Sequence, residues 1–245
     1  MQTSRIARLA GSLGIVAVVL FVGAPAGIQI GLLESFLGFR IFLLGALLGL
    51  VALLCGLLGL FFTRASARRA GRGRAALGAV LGALVVAAIA FMGRQGRGVP
   101  PINDITTNPD DPPVFVIALE DPANRDRDMG YPGASFAAQQ RAGYPDLAPI
   151  AVALPPAEAF ERTSALFERF GWHITRSDPQ SGALEATDTS RLFHFVDDIV
   201  VRVRPQDGGS VVDMRSKSRV GRGDLGANAA RIRRLRAGLG GAASR

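Results

Sequence analysis

The chain has 245 residues, of which 49% are hydrophobic, and a formal net charge of +8. Residues 1–98 hold ten arginines and one acid, whereas residues 99–245 hold 18 basic and 19 acidic residues. A strongly basic chain can indicate nucleic-acid binding. Here the excess charge lies between apolar runs, which argues against a nucleic-acid partner. The single cysteine, Cys55, excludes an intramolecular disulfide and a cysteine-based metal site.

Three uncharged apolar runs occupy residues 13–33, 41–63 and 75–92. About 20 apolar residues in a helix cross the ~30 Å hydrocarbon core of a bilayer, and the runs approach or exceed that length. They are apolar on every face, whereas a helix at the surface of a soluble domain has a polar face. The sequence therefore predicts three membrane-spanning helices within residues 1–98, with the lipid bilayer as their partner.

Arginines between these runs predict how the chain crosses the membrane. Arg5 and Arg8 precede the first run, the first loop is neutral, and the second loop holds five arginines. The five are Arg64, Arg68, Arg69, Arg72 and Arg74. Basic residues in short loops stay in the cytoplasm. Since only Lys217 among the 28 basic residues is a lysine, a composition typical of GC-rich bacteria, we expect a multi-pass protein of a bacterial inner membrane whose C-terminal domain is periplasmic.

The first run has a second interpretation. Arg5 and Arg8, the apolar residues 13–22 and the segment Ala24-Pro25-Ala26 together resemble a cleavable signal peptide. The apolar run continues to Leu33, which favours a membrane span. Both interpretations leave the C-terminal domain outside the cytoplasm.

Glycines recur at four-residue spacing in all three runs, and such spacing lets helix backbones approach closely in lipid. They are Gly23, Gly27 and Gly31, then Gly45 and Gly49, then Gly78 and Gly82. We expect the three helices to pack against one another. The runs contain no Asp, Glu, His, Lys or Arg, which argues against a proton or ion pathway.

A proline-rich segment follows the membrane half. Residues 99–156 hold 11 of the 14 prolines, a density that forbids long helices. Residues 99–148 are therefore predicted to be an extended linker. Its aromatic residues indicate that it lies against the domain, and the apolar residues 114–119 could form a strand or rest on the domain surface.

Residues 149–238 show the periodicities of an α+β domain. Pro156 opens a helix with Phe160, Phe167 and Phe170 at helical spacing, and Gly171 ends it. Alternating segments predict strands at residues 150–154, 172–176, 183–189, 198–204 and 210–219. The segment Gln206 to Gly209 is predicted to be a hairpin turn. The expected fold is an antiparallel sheet with two helices on one face.

The last helix is predicted to begin after Asp224, which has the residue type of a helix N-cap. Its apolar face would then hold Leu225, Asn228, Ala229, Ile232 and Leu235.

Four segments of this half carry a family resemblance. They are PPINDITTNPDDPP (100–113), QQRAGYPDL (139–147), EATDTSRLFHFVDDIVVRV (185–203) and VDMRSKSRVGRGDLGANAARI (212–232). They resemble the bacterial domain of unknown function family 1499 over residues 99–236, in a form with N-terminal transmembrane helices. The resemblance implies no reaction and no catalytic residue.

Patterns that can carry chemistry are weak here. Gly221 to Gly226 fit G-x-G-x-x-G, but a dinucleotide site also needs a βαβ unit and an acidic residue about 20 positions on. The only histidines, His173 and His194, have no metal-ligand spacing. A triad of Ser216, His194 and Asp213 is disfavoured because neighbours Asp213 and Ser216 face opposite sides of a strand. We predict no catalytic residue, no metal and no cofactor.

Basic residues on two adjacent strands form the one candidate ligand site. Alternation places Arg202, Arg215, Lys217 and Arg219 on the side opposite the apolar residues, so we expect a contiguous solvent-facing patch. The patch would bind an anion such as a lipid headgroup. The alternative is intramolecular, with carboxylates such as Glu185 and Asp213 pairing with these cations.

The function that the sequence supports best is a membrane-anchored envelope protein. Its periplasmic domain would bind a partner protein of the envelope or an anionic ligand near the membrane. A membrane-anchored periplasmic enzyme is the alternative, and it would need a concave pocket with convergent polar groups. The ligand, the partner and the oligomeric state do not follow from the sequence.

Overall fold

The computed structural model describes residues 4–64 and 70–240, except the side chain of Gln95. It divides into two compact units. The first comprises residues 1–94 and 191–194, and the second comprises residues 95–190 and 195–245. Arg68 and Arg69 of the predicted cytoplasmic loop lie outside the described residues.

Three long helices form the first unit: α1 (Arg5–Gln29), α2 (Ser35–Phe62) and α3 (Arg72–Met92). All three are long and apolar enough to cross a membrane, as predicted. Helix α1 begins eight residues before the predicted run, where the Ser4 hydroxyl accepts a hydrogen bond from the backbone N–H of Ala7 at 3.5 Å. The helix therefore includes Arg5 and Arg8, which the definition of an uncharged run leaves out.

The three helices pack through their smallest side chains. In α2, Gly45, Gly49 and Gly56 are buried, whereas Leu47 and Leu54 are exposed. A soluble protein has the opposite arrangement. In lipid, apolar surface has no need of burial, and helices associate through close backbone packing. The predicted packing of the helices against one another is confirmed.

Gly78 lies where α3 approaches α1 most tightly. A Cβ atom added at Gly78 would collide with the carbonyl oxygen of Ala10, and one added at Gly82 would lie 2.5 Å from the carbonyl oxygen of Gly49. At Gly23 and Gly31, by contrast, no described atom lies within 4 Å of an added Cβ. These two glycines of the predicted spacing therefore take no part in the packing.

We predict that Gly78→Ala lowers the free energy of unfolding of the helical unit by roughly 1–3 kcal/mol, because a backbone oxygen cannot yield as a flexible side chain can. The measurement is SDS-induced unfolding of the full-length protein in detergent, followed by circular dichroism. Gly23→Ala is the control and should be neutral or slightly stabilising, since alanine favours helix. Equal losses in the two variants would contradict the assigned contact.

The second unit contains a six-stranded antiparallel sheet with strand order β1-β6-β5-β4-β3, and β2 also pairs with β6. Its strands are β1 (Asp104–Thr106), β2 (Ile150–Val152), β3 (His173–Asp178), β4 (Ala183–Thr189), β5 (Val196–Gln206) and β6 (Gly209–Ser218). The β5–β6 hairpin closes with Gln206 opposite Gly209, as the turn motif predicts. Strands β2 to β6 correspond to the five predicted strands.

Two helices cover one side of the sheet, called here the helix-covered face. Helix α5 (Pro156–Phe170) has proline in its first turn, where no helical amide donor is needed, and ends at Gly171 with φ of +78°. Helix α6 (Ala227–Gly240) packs beside it. Their apolar residues form one core with the inward residues of the strands, including Phe160, Phe167, Leu184, Ile199, Val201, Val212, Met214, Ile232 and Leu235. The predicted fold class is confirmed.

The other side of the sheet is covered as well. Residues 107–133, called here the strap, lie over it, and Phe115, Ala118 and Met129 form a small second core with Val200 of β5. The sequence predicts a linker over residues 99–148, whereas in the structure this segment belongs to the second unit and supplies β1 and helix α4 (Ala134–Gly143). A three-residue edge strand has too short an alternation to be recognised among prolines.

Helix α4 completes the edge of the sheet beside β1. The buried Gln140 side chain donates to the backbone oxygen of Thr106 at 2.7 Å and accepts from the backbone N–H of Thr106 at 2.9 Å. An amide side chain thus replaces the neighbouring strand that an edge otherwise lacks.

Candidate functional site

Arg215 is a buried residue beneath the strap. Its side chain is 2% exposed, and its guanidinium donates to both carboxylate oxygens of Asp104, at 2.8 and 2.7 Å. The Lys217 ammonium donates to the same carboxylate at 2.8 Å. The guanidinium also lies over the rings of Phe115 and Tyr131, 4.8 and 5.6 Å from their centroids, and burial raises the pKa of Tyr131 to about 12. Arg215 and Lys217 therefore both form ion pairs with Asp104 inside the domain.

Arg202 is paired on two sides. Its Nη2 donates to Asp111 of the strap at 2.8 Å and to Asp213 of β6 at 2.9 Å. The Arg204 guanidinium also donates to Asp213. The hydrogen bond from Arg202 lowers the pKa of Asp111. The strap is thus tied to the sheet by opposite charges.

Arg219 joins the sheet to the strap at the other end of β6. Its Nε and Nη2 donate to Asp198 of β5 at distances of 2.7 to 3.1 Å, and Nη2 also donates to Asp121 at 2.7 Å. The pKa of Asp121 is lowered chiefly by a hydrogen bond from the Ala123 backbone N–H and to a smaller extent by the one from Arg219. Desolvation acts to lower the pKa of Arg219, but its hydrogen bonds to Asp198 and Asp121 outweigh that effect and raise it.

The four basic residues therefore do not form the expected solvent-facing patch, and that expectation is wrong. Alternation places Arg202, Arg215, Lys217 and Arg219 on one face as predicted, but the strap covers that face and each cation meets a carboxylate. The arrangement favours the intramolecular alternative. Asp213 and Asp198 belong to β6 and β5, whereas Asp104, Asp111 and Asp121 belong to β1 and the strap, which the sequence analysis did not assign to the sheet domain.

Glu185, a carboxylate expected to pair with cations across strands, binds backbone N–H groups of the strap. Its carboxylate accepts hydrogen bonds from the backbone N–H groups of Val116, Ile117 and Ala118, at 2.9, 3.1 and 3.0 Å. Arg176 of β3 lies 3.5 Å from the same carboxylate. The apolar residues 114–119 thus rest on the sheet, as one of the two predictions for this segment has it.

A cavity of about 290 Å³ lies between the strap and the sheet at this end of the domain. Its apolar wall is formed by Ile117 and Ala118 of the strap, and its polar groups come from both layers. The remaining lining residues are Glu120, Asp121, Thr175, Thr187, Asp198 and Arg219. Concave sites with an apolar wall and a few convergent polar groups are typical of small-ligand binding.

A β-bulge in β3 shapes one wall of this cavity. Pairing with β4 shifts between Ile174 and Arg176, so Thr175 is the extra residue of the strand. As a result Thr175 lines the cavity while its neighbour Arg176 also reaches the strap side, where it meets Glu185. Regular alternation would have sent these two side chains to opposite faces. Bulges commonly re-aim side chains beside functional sites.

Several polar groups of the cavity are unused within the described chain. The hydroxyls of Thr175 and Thr187 and the carboxylate of Glu120 make no hydrogen bond or ion pair with any described residue. Glu120 and Thr175 are exposed and Thr187 is half-buried. The cavity is therefore an open place on this face where bonding capacity is left for a ligand. Elsewhere on the face, the buried Nε of Arg202 and Oδ1 of Asp213 also make no hydrogen bond with a described residue.

Of the predicted site residues, only Arg219 lines the cavity. Ile117, Thr175 and Thr187 were missed, because a threonine in a strand is ordinary and a bulge leaves no mark in the local sequence. The available signal was the apolar run at 114–119, which is too short for a helix and is followed directly by Glu120 and Asp121.

The disfavoured catalytic patterns are not assembled. Ser216 faces α6, where its hydroxyl lies 2.7 Å from Asn228 Oδ1, whereas Asp213 faces Arg202 on the strap side. Among the described residues, no group of three or more His, Cys, Asp or Glu side chains could hold a metal ion.

Asp224 caps the last helix, but from outside it. Its carboxylate accepts from the backbone N–H groups of Gly226 and Asn228, at 2.8 and 2.7 Å, and α6 begins at Ala227. Burial raises the pKa of Asp224. Leu225, predicted on the buried face, is exposed with φ of +54°, so that assignment is wrong. The tight turn before α6 explains why Asp224 lies outside the helix and why Leu225 is exposed.

Three helices long and apolar enough to cross a membrane, followed by an antiparallel sheet with helices on one face, indicate a membrane protein with an α+β domain. The chain belongs to the family described as Protein of unknown function (DUF1499), which it matches over residues 104–239. The family resemblance of the sequence is thereby confirmed. No curated protein and no solved structure matches the chain.

We predict that Asp104→Asn lowers the free energy of unfolding of the sheet domain by about 3–5 kcal/mol, because it leaves Arg215 buried without its counter-charge. The single tryptophan, Trp172, is buried in the domain core, so its fluorescence reports urea unfolding of this unit in the full-length protein.

The matched control is Asp110→Asn, since Asp110 pairs with Arg141 on the surface, where its side chain is 82% exposed. This variant should change the free energy of unfolding by less than about 1 kcal/mol. If the two variants were equally stable, Asp104 would not be the residue that makes the burial of Arg215 tolerable.

Proposed function

We propose that the chain is a membrane-anchored binding protein whose α+β domain holds a small ligand in the cavity beneath the strap. The observation that carries the proposal is the contrast on this face of the sheet. Arg202, Arg215 and Lys217 bind carboxylates of the same domain, whereas Thr175 and Thr187 have no described partner and line an open cavity.

The predicted anionic ligand on the basic strands loses its basis, because those cations are paired. A ligand in the cavity is still consistent with the broader function expected from the sequence, which is a binding module near a membrane. The tether between the two parts is short: 11 residues separate Met92, at the end of α3, from Asp104, at the start of β1. Fully extended, they reach at most roughly 40 Å, which is the longest span that this connection can cover.

The proposed location of this domain is the periplasmic side of a bacterial inner membrane. The support is the distribution of arginine, with Arg5 and Arg8 before the first span and the five-arginine loop before the third. Three crossings from a cytoplasmic N-terminus then export the domain.

Topology is tested with alkaline phosphatase, which is active only after export. A fusion after Arg245 should be active, and a fusion after Arg74, at the end of the arginine-rich loop, should be inactive. A fluorescent protein that folds only in the cytoplasm should give the reverse pattern. An inactive phosphatase at Arg245, with a fluorescent reporter there, would place the domain in the cytoplasm.

Ligand binding is tested with benzyl alcohol, a neutral probe small enough for the cavity. In methyl NMR spectra of the full-length protein in lipid nanodiscs, we expect the methyl signals of Ile117, Thr175 and Thr187 to shift in a saturable way. The methyl of Thr163, buried in α5 within the other core, should not shift.

Thr187→Leu should weaken the binding of the probe at least about tenfold, because the larger side chain takes up part of the cavity and removes a hydroxyl. Thr189→Leu, at the exposed end of the same strand, is the control for the chemical change. Trp172 fluorescence would show that both variants stay folded. Unchanged binding in Thr187→Leu, or shifts confined to the membrane helices, would overturn the proposal.

A further inference from the structure

We infer that the cavity selects a small organic cation: a protonated amine carried on an apolar body. The inference rests on the proposed function above and adds the chemical class of the ligand. It contradicts the anionic ligand that the basic strands suggest, and three observations lead to it.

The first observation is that the cations near the cavity are already used. Arg219 directs Nε and Nη2 to Asp198 and Asp121. Arg127, behind Asp198, donates to the backbone oxygen of Ser218 at 2.6 Å and to the side chain of Asn124, and lies 3.4 Å from Asp198. An incoming anion would have to compete with carboxylates that these guanidinium groups already hold.

The second observation is the charge of the lining residues. They include three carboxylates, from Glu120, Asp121 and Asp198, and one guanidinium, from Arg219. The Glu120 carboxylate has no cationic partner among the described residues. The Glu120 carboxylate is therefore available to attract a cation that enters the cavity, and it repels an anion.

The third observation is the shape and chemistry of the remaining wall. Ile117 and Ala118 provide apolar surface, and the two threonine hydroxyls, which can accept as well as donate hydrogen bonds, are placed to receive ammonium N–H groups. A volume of about 290 Å³ corresponds to roughly ten water molecules. An amine on a short aliphatic or single-ring body fits this space.

The test compares three probes of nearly equal shape and different charge: benzylammonium, benzyl alcohol and benzoate. Each is titrated into the full-length protein in nanodiscs of neutral lipid, and the methyl signals of Ile117, Thr175 and Thr187 report occupancy. We expect benzylammonium to bind about threefold or more tightly than benzyl alcohol, with benzoate weakest, because an exposed charge pair has a modest effect. Added salt should reduce the difference.

Glu120→Gln should abolish the preference for benzylammonium over benzyl alcohol, because it removes the unpaired charge and keeps the size of the side chain. Glu161→Gln, which removes an exposed carboxylate of α5 outside the cavity, should keep the preference. Because Glu120 is exposed and unpaired, its removal should not affect folding.

The outcomes separate the two proposals. Tighter binding of benzoate or benzyl alcohol at the same methyl groups would overturn the cationic class and leave the binding function standing. Failure of all three probes to shift these signals would overturn the binding function itself. A preference for benzylammonium that survives Glu120→Gln would also overturn the inference, because the selecting charge would then lie elsewhere.

Discussion

The ion pair between Asp104 and Arg215 is the constraint on which the organisation of the sheet domain depends. The Arg215 side chain is only 2% exposed, and burying its charge strongly destabilises the fold unless a hydrogen-bonded carboxylate balances it. The carboxylate comes from β1, which therefore has to pair with the end of β6. Once β1 is there, the chain that follows it has to cross the same face of the sheet, and this crossing segment is the strap. The segment before β2 is thus part of the fold.

Polar anchors at separate points hold the strap in addition to a small apolar core. Its own core is small, with three strap side chains packed around Val200. Additional attachment comes from Glu185, which accepts three successive backbone N–H groups, and from the pairs of Asp111 with Arg202 and of Asp121 with Arg219. Because such anchors act at discrete points, the strap does not fill all the space beneath it. The cavity lies where the 3-10 turn at Ile117–Leu119 passes the bulged end of β3.

The two units follow opposite packing rules, which fits a helical unit in lipid and a sheet domain in water. In the sheet domain, large apolar side chains such as Phe167 and Met214 are buried, and buried charges such as Arg215 and Asp104 are paired. In the helical unit, glycine and alanine are buried and leucine is exposed. Water drives the first arrangement through burial of apolar surface. Lipid supplies no such drive between helices, which associate here through close backbone contacts, as at Gly78, and through side-chain contacts such as the stacked rings of Phe21 and Phe42.

The sequence by itself determined the elements whose signals are local. An apolar run of about 20 residues predicts a span, alternation predicts β3 to β6, and Pro156 with Gly171 bounds α5. It also determined which strand residues share a face. The family was recognisable from four segments, although it implies no activity.

Only the tertiary structure decided what covers each face of the sheet. Alternation sets Arg215 opposite the apolar residues, but it cannot distinguish a face open to water from one covered by another segment. The deciding partner, Asp104, lies 111 residues away along the chain. The cavity was beyond prediction for the same reason, since Thr175 enters it through a bulge and Ile117 through the strap. Both depend on contacts between segments that no local pattern records.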